Sequence, residues 1–529
     1  MPIRRSESSL PFEELGHIIP DDGNGSISNA FGEVEQFHQG LHQRHVQMIA
    51  LAGTIGTGLF LSSGQAIATS GPLGAFIGYT VTGIAASSVV SAVGEMGSLV
   101  PLSGGVVRYA EYFFDPALSF ADGWNQIYSY LVSVPAEIVA AAVLVEFWIS
   151  VSNAIWITVF GLLMLITPLV FIRIYGEIEF FFSMMKIALI IGLNIMAIVI
   201  TCGGGPNGES IGFRYWRNPG PFVQYLVYAY SGIQNVTAAA SELRAPRRSI
   251  PKATKRIFIR IFAFYVLSIF TVGLIVPSND PKLLQGNSTH PTASQSPFVI
   301  AAQRAGITAV PSIINAVIIS SAWSAGNADI LFGSRILFGI SVLGHGPKVF
   351  QRLNRFGVPY VSVILFGIFM SLGYMSLDES SSAVFRWLQN VVAVSTLVDW
   401  GIICIVYLRF YYGCKKQGIN RYTELPWASP FQPYSTWASL IFFTLLLLTG
   451  GYSAFVPGHW STETFISSYI NIPIILVLYF GYKLWKKTTI RPLEAIPISG
   501  FVQFYLCQEY PEPEAKPKKG LKKLKILWS

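Results

Sequence analysis

VQMIALAGTIGTGLFLSSGQAIA, residues 46–68, reads as a membrane-spanning helix with a fault at its centre. Its length suits the roughly 20 mostly apolar residues that a spanning helix needs. In the middle, Gly53-Thr54-Ile55-Gly56-Thr57-Gly58 sets three glycines within six residues. Each glycine weakens a helix by about 1 kcal/mol relative to alanine. Unwinding there frees backbone N–H groups at membrane depth. A half-helix starting near Thr57 would point its positive end at an anion such as a carboxylate. Close helix packing through small residues is the competing reading. The spacing is GxxGxG with no strand before it, so it is not a dinucleotide fingerprint.

The rest of the chain supports a membrane setting. Of 529 residues, 52% are hydrophobic and 12% are charged. That charged share is about half the roughly 25% of a soluble domain, too little to cover a water-facing surface. Twelve stretches pass the length ruler. They are Val46–Ala68, Gly74–Leu99, Phe120–Trp148, Ile155–Ile172, Phe180–Thr201 and Phe222–Ala240, then Ile257–Val276, Val310–Phe338, Val361–Leu377, Val384–Leu408, Trp437–Val456 and Phe465–Leu484. With the N-terminus inside, the inner loops between spans hold 17 Lys and Arg and the outer loops hold five. The positive-inside rule therefore places both termini in the cytoplasm, consistent with an even number of spans. The expected fold class is an all-α polytopic membrane protein of about twelve transmembrane helices.

Residues 1–43 and 486–529 read as cytoplasmic tails around a transporter-like unit at 44–485. In the C-tail, Lys518, Lys519, Lys522, Lys523 and Lys525 alternate with apolar residues. This suits either a short basic helix on anionic membrane lipid or a solvated tail. Asn287-Ser288-Thr289 is a sequon in an outer loop, a candidate N-glycan site. Cys202, Cys404, Cys414 and Cys507 have no metal or redox spacing. The net charge of +8 concerns inner loops and lipid, and no nucleic-acid partner is expected. No nucleophile–base set, metal cluster or phosphate loop is visible, so neither an enzyme nor a cofactor is expected.

A second fault lies in span six, where Tyr228-Ala229-Tyr230-Ser231-Gly232-Ile233-Gln234-Asn235 interrupts an apolar run. Polar residues at that depth serve either as a site or as interhelical glue. Spans one and six open two five-span units, and interrupted helices at matching positions of two halves point to a transporter binding site. Span five contributes Lys186, the first lysine of the chain, within FFFSMMKIALIIGL. A charge at the bilayer centre costs about 2.5–3.5 kcal/mol, and shedding the proton is one way to relieve that cost. Snorkelling to the interface is the alternative, although Lys186 lies several residues inside the span. Glu137 and Asp399 also read as deep acids. Glu95 and Glu146 fall near span ends, and Asp329 completes the set. Each acid is a functional candidate or half of a structural pair.

RHVQMIALAGTIGTGLFLSSG (44–64), GEMGSLVPLSGG (94–105), ADGWNQIYSYLVSVPAEIVAAA (121–142) and YGEIEFFFSMMKIAL (175–189) carry a family likeness. SELRAPRRSIPKA (241–253), SAGNADILFGSRILFGIS (324–341) and HGPKVFQRLNRFGVPYVSV (345–363) continue it. The chain resembles the fungal amino-acid permeases of the amino acid–polyamine–organocation superfamily. The resemblance implies a core of two inverted five-helix repeats, here about 44–205 and 218–410, plus two peripheral helices. It implies uptake of amino acids by proton symport at the plasma membrane, with an internal membrane as the other location. By the same resemblance, N–H groups of Gly56, Thr57 and Gly58 meet the substrate carboxylate. Carbonyls around Thr54, Ile55, Tyr228 and Ser231 meet its ammonium, and Tyr230 acts as a lid. Lys186 matches a fifth-helix lysine that stands where sodium-coupled relatives bind their ion.

One departure stands out. Family members commonly read Gly-Thr-Glu in span six, where this chain has Gly232-Ile233-Gln234. Gln234 neither titrates nor carries charge, so substrate range does not transfer from the family. Asp399 is an acid that could compensate. Tyr128 and Glu137 in span three and Asn327 in span eight join the candidates on position and polarity. With Lys186, Glu137 and Asp399 form the proton-coupling candidates. A polyamine or carnitine-like cation permease and a non-transporting amino-acid sensor are the alternatives. An ion channel fits less well, because two broken helices favour occluded binding over a continuous pore.

Overall fold

The computed structural model describes residues 57–99, 106–149, 151–170, 172–206, 208–222, 264–284, 296–307, 309–354, 357–377, 381–451, 455, 460 and 462–507. Among these residues the regular structure is helical, with no strand. The principal helices are α1 (Gly58–Leu99), α2 (Val106–Phe113), α3 (Pro116–Val145), α4 (Asn153–Val170) and α5 (Ile172–Thr201). Phe264–Ile275 forms α6. They continue with α7 (Pro297–Arg304), α8 (Val310–Val342), α9 (Tyr360–Phe369) and α10 (Ser381–Lys416). The last four are α11 (Tyr434–Thr449), α12 (Thr462–Tyr469), α13 (Asn471–Lys486) and α14 (Ile498–Cys507).

Five stretches of described helix are long and apolar enough to cross a membrane: Ser70–Leu99, Pro116–Val145, Gly176–Thr201, Tyr360–Leu377 and Trp387–Lys416. Helices suit such a setting because each backbone N–H and C=O finds its partner within the segment. The outward surface agrees. Exposed apolar residues repeat at helical spacing along α5 (Ile191, Ile195, Ile198), α11 (Ile441, Leu445, Leu448) and α13 (Val477, Phe480, Leu484). Such outward-facing stripes suit hydrocarbon rather than water.

The core is built around α3, which is buried along most of its length and packs against α8 and α10. Its start is well defined. Asp115 accepts the Ala117 N–H at 2.8 Å, Pro116 occupies the first turn, and Lys483 of α13 reaches Asp115 at 2.6 Å. Glycines bring α8 close to its neighbours. A Cβ on Gly326 would lie 2.8 Å from the Met164 sulfur of α4 and 3.8 Å from the Glu137 Cβ of α3.

Several boundaries differ from the hydropathy reading. The first two expected spans share α1, divided at Gly71 (φ 75°), where the left-handed backbone before Pro72 suits glycine. Helix α5 starts at Ile172 rather than Phe180, because Glu179 is buried with a partner instead of exposed in a loop. Helix α11 stops at Thr449, before Gly450-Gly451, where a Cβ on Gly451 would strike the Tyr469 ring at 2.5 Å. Helices α8 and α10, at 33 and 36 residues, outrun a hydrocarbon layer. Packed helix also continues past Trp485. Ile496, Ile498, Phe501 and Val502 are buried in a cluster with α2 and α10, and the helix that carries the last three runs on to Cys507.

A buried clasp holds the far end of α1. Arg421 donates to both oxygens of Glu95, each at 2.7 Å. The Tyr407 hydroxyl donates to Glu95 Oε2 at 2.6 Å and the Ser429 N–H at 2.8 Å. Both oxygens of this buried carboxylate accept hydrogen bonds, and the 417–432 connection is tied to α1 and α10.

Candidate functional site

Thr57 precedes the first residue of α1 and its carbonyl accepts the Phe60 N–H at 3.1 Å. The described part of this span therefore begins at Thr57, with the helix running from Gly58. The rest of the glycine fault, Gly53, Thr54, Ile55 and Gly56, lies outside the described residues. So does the whole span-six fault with Tyr228, Tyr230, Ser231 and Gln234, and so does Asn287.

The Thr57 hydroxyl donates to Glu137 Oε1 at 3.2 Å, across 80 residues of sequence. This contact ties the start of α1 to α3. The other oxygen of Glu137 has no hydrogen-bond partner among the described residues, although it is buried. One turn along α3, the Ser133 hydroxyl donates to Asp329 Oδ2 of α8 at 2.5 Å. Asp329 and Glu137 act on one another electrostatically.

Lys186 lies midway along α5 and is fully buried. Its ammonium donates to the Ser324 hydroxyl of α8 at 3.1 Å, and that hydroxyl donates to Glu179 Oε2 at 2.7 Å. Glu179, Glu137 and Asp329 all lie within electrostatic reach of the ammonium. Acids from three helices thus face the ammonium inside the protein. Snorkelling, the alternative, does not occur. Ser324 and Glu179 were not singled out from the sequence. Glu179 stands seven residues before Lys186, two turns along the same face, and that spacing was the available signal.

Asn327 is buried in α8, where its amide donates to the Trp323 carbonyl at 2.9 Å. Its side-chain oxygen is left without a partner among the described residues. Asn327 thus sits between Ser324 and Asp329 in sequence with an acceptor to spare.

Two other candidates are placed elsewhere. Asp399 of α10 accepts from Gln126 at 2.6 Å, and the same amide reaches Asp122 at 3.1 Å. Gln126 precedes Glu137 by 11 residues, about 16 Å along α3. Asp399 therefore belongs to a second acidic pair and is not gathered with Lys186. Tyr128 is half-buried and lies on roughly the opposite side of α3 from the stripe formed by Asp122, Gln126, Ser133 and Glu137. The structure does not bring it to the Thr57–Glu137 contact.

The family model described as "Amino acid permease" matches residues 45–494. The chain belongs to the amino acid permease family. Similar proteins include a proline-specific permease of Saccharomyces cerevisiae, 38% identical over 86% of this chain and 77% of that one. A proline-specific permease of Emericella nidulans is also 38% identical, over 88% and 89%. A dicarboxylic amino acid permease of Saccharomyces cerevisiae is 34% identical, over 92% and 84%. Among solved structures, a manganese transporter of Eremococcus coleocola matches with a TM-score of 0.56 at 13% identity, over 91% of this chain and 97% of that one. That likeness concerns fold alone. Family and fold together make the chain an amino-acid transporter of the membrane, not an enzyme.

Proposed function

We propose that this permease is a plasma-membrane symporter that takes up amino acids with protons by alternating access. The observation that carries the reading is the bond from Thr57 to Glu137, together with the reach of Lys186 to Glu137 and Asp329. Thr57 belongs to the broken span where a substrate carboxylate would bind. Glu137 and Lys186 are groups that can exchange a proton. A contact between substrate site and proton site is what coupling requires.

In this reading the chain has twelve spans, with inverted repeats over about 44–205 and 218–410 and both termini in the cytoplasm. The backbone N–H groups of Gly56, Thr57 and Gly58 hold the substrate carboxylate. Carbonyls near Thr54, Ile55, Tyr228 and Ser231 hold its ammonium, Tyr230 covers it, and Gln234 and Asn327 contribute neutral polar contacts. A half-helix N-terminus supplies the positive end that favours the anion. Gln234 brings no charge to a substrate side chain, which favours neutral substrates. Proline is the first to test, given the names of two relatives at 38% identity. Asp399 moves from the coupling set to a separate role with Asp122.

The test is uptake of labelled amino acids, a polyamine and carnitine in permease-deficient yeast, at two external pH values, with and without an uncoupler. The reading expects accumulation of a neutral amino acid above equilibrium, lost with the uncoupler. Accumulation of only the polyamine or carnitine would favour a cation permease. Surface expression without any uptake would favour a sensor.

A further inference from the structure

We propose that Ser324 and Glu179 form the route by which the proton held at Lys186 leaves the substrate side of the protein. This rests on the proton-coupled reading above. The three groups make one chain with every bond running the same way. Lys186 Nζ donates to Ser324 Oγ at 3.1 Å, and Ser324 Oγ donates to Glu179 Oε2 at 2.7 Å. All three side chains are fully buried. A hydroxyl both donates and accepts, so it can take one proton while giving up another. As the ammonium passes a proton to Oγ, the hydroxyl proton passes to Oε2. The products are a neutral amine, an intact serine and a carboxylic acid, so protons and charge balance without any other reactant.

The Ser324 hydroxyl accepts from the ammonium and donates to the carboxylate, and so gives the proton a path between them. Phe182 of α5 stacks edge-on against Trp323, the residue before Ser324, with ring centroids 5.4 Å apart. These rings pack α5 against α8 beside the hydroxyl.

Direction follows from the other groups around the lysine. Glu137 of α3 and Asp329 of α8 face it along with Glu179 on its own helix. Glu137 is bonded to Thr57, on the substrate side. Glu179 lies seven residues nearer the start of α5, about 10 Å along its axis. The loop charges assign that end of α5 to the cytoplasm. Lys186 thus stands between an acid that senses the substrate site and an acid set toward the cell interior.

The experiment uses the full chain in proteoliposomes with a pH dye inside. It compares wild type, Ser324→Ala, Ser324→Thr and Glu179→Gln. Two rates are read with labelled proline, or with whichever substrate the uptake panel names. Substrate-driven proton entry needs the proton to be released inside, whereas counterflow exchange of substrate does not. Ser324→Ala and Glu179→Gln are expected to retain counterflow and to lose proton-coupled net uptake by about tenfold or more, with Ser324→Thr restoring it. Proton entry in Ser324→Ala within twofold of wild type would overturn the relay. Parallel loss of counterflow in both variants would also overturn it, assigning the groups to packing. If wild type exchanges substrate but moves no protons, the coupling reading itself falls, and the relay with it.

Discussion

Glu95 and Glu137 are both buried glutamates reached by a residue far away in sequence, and their surroundings differ in kind. Glu95 accepts four hydrogen bonds, two of them from one guanidinium. Glu137 accepts one from Thr57 and leaves its second oxygen unpartnered among the described residues. The first arrangement fixes two helices and a loop in one geometry. The second keeps a buried carboxyl able to change partner. Full satisfaction suits a joint that must hold, while an incomplete set suits a site that must respond to substrate and proton.

The largest separation between the two regions is expected from Lys186→Met. Removing the ammonium should abolish uphill uptake while the Glu95 clasp keeps the protein folded and at the surface. Wild-type pH dependence of uptake in this variant would contradict a proton role for the lysine. Arg421→Ala should act in the opposite sense. Stranding a buried Glu95 costs about 3–5 kcal/mol. The melting temperature in detergent should fall and surface expression with it, and an unchanged melting curve would show the clasp to be dispensable.

Smaller effects probe the substrate side. Gly58→Val places a branched side chain at the start of α1, where the carboxylate would approach the backbone. Apparent affinity should weaken by about tenfold or more, the scale of a lost hydrogen bond to a charged group. Unchanged affinity with normal surface expression would remove this helix end from the binding site. Thr57→Val keeps the shape and deletes only the hydroxyl bonded to Glu137. It should shift the pH dependence of uptake with a loss of about 1 kcal/mol, a few-fold in rate. A lower affinity at every pH, with the pH profile unmoved, would assign Thr57 to substrate alone.

Much of the helical framework was legible because hydropathy reports the length of apolar runs. The start of α8 at Val310 and the end of α5 at Thr201 coincide with the expected boundaries. The early start of α5 has its own cause: hydropathy registers a charge and not its partner, and Glu179 is held by the Ser324 hydroxyl. The clasp was beyond sequence reading, since Glu95 and Arg421 are 326 positions apart. Lys186 was legible because a charge inside an apolar run demands an explanation. Tyr128 illustrates the reverse case: polarity and position nominated it, but helical phase turns it away from Ser133 and Glu137.

The most direct measurement is uptake of labelled substrate by the purified protein in proteoliposomes with an imposed pH gradient, acidic outside, and no sodium. The account predicts accumulation above equilibrium that disappears when the gradient is collapsed. Equal accumulation without a proton gradient, or accumulation that needs sodium instead, would contradict it.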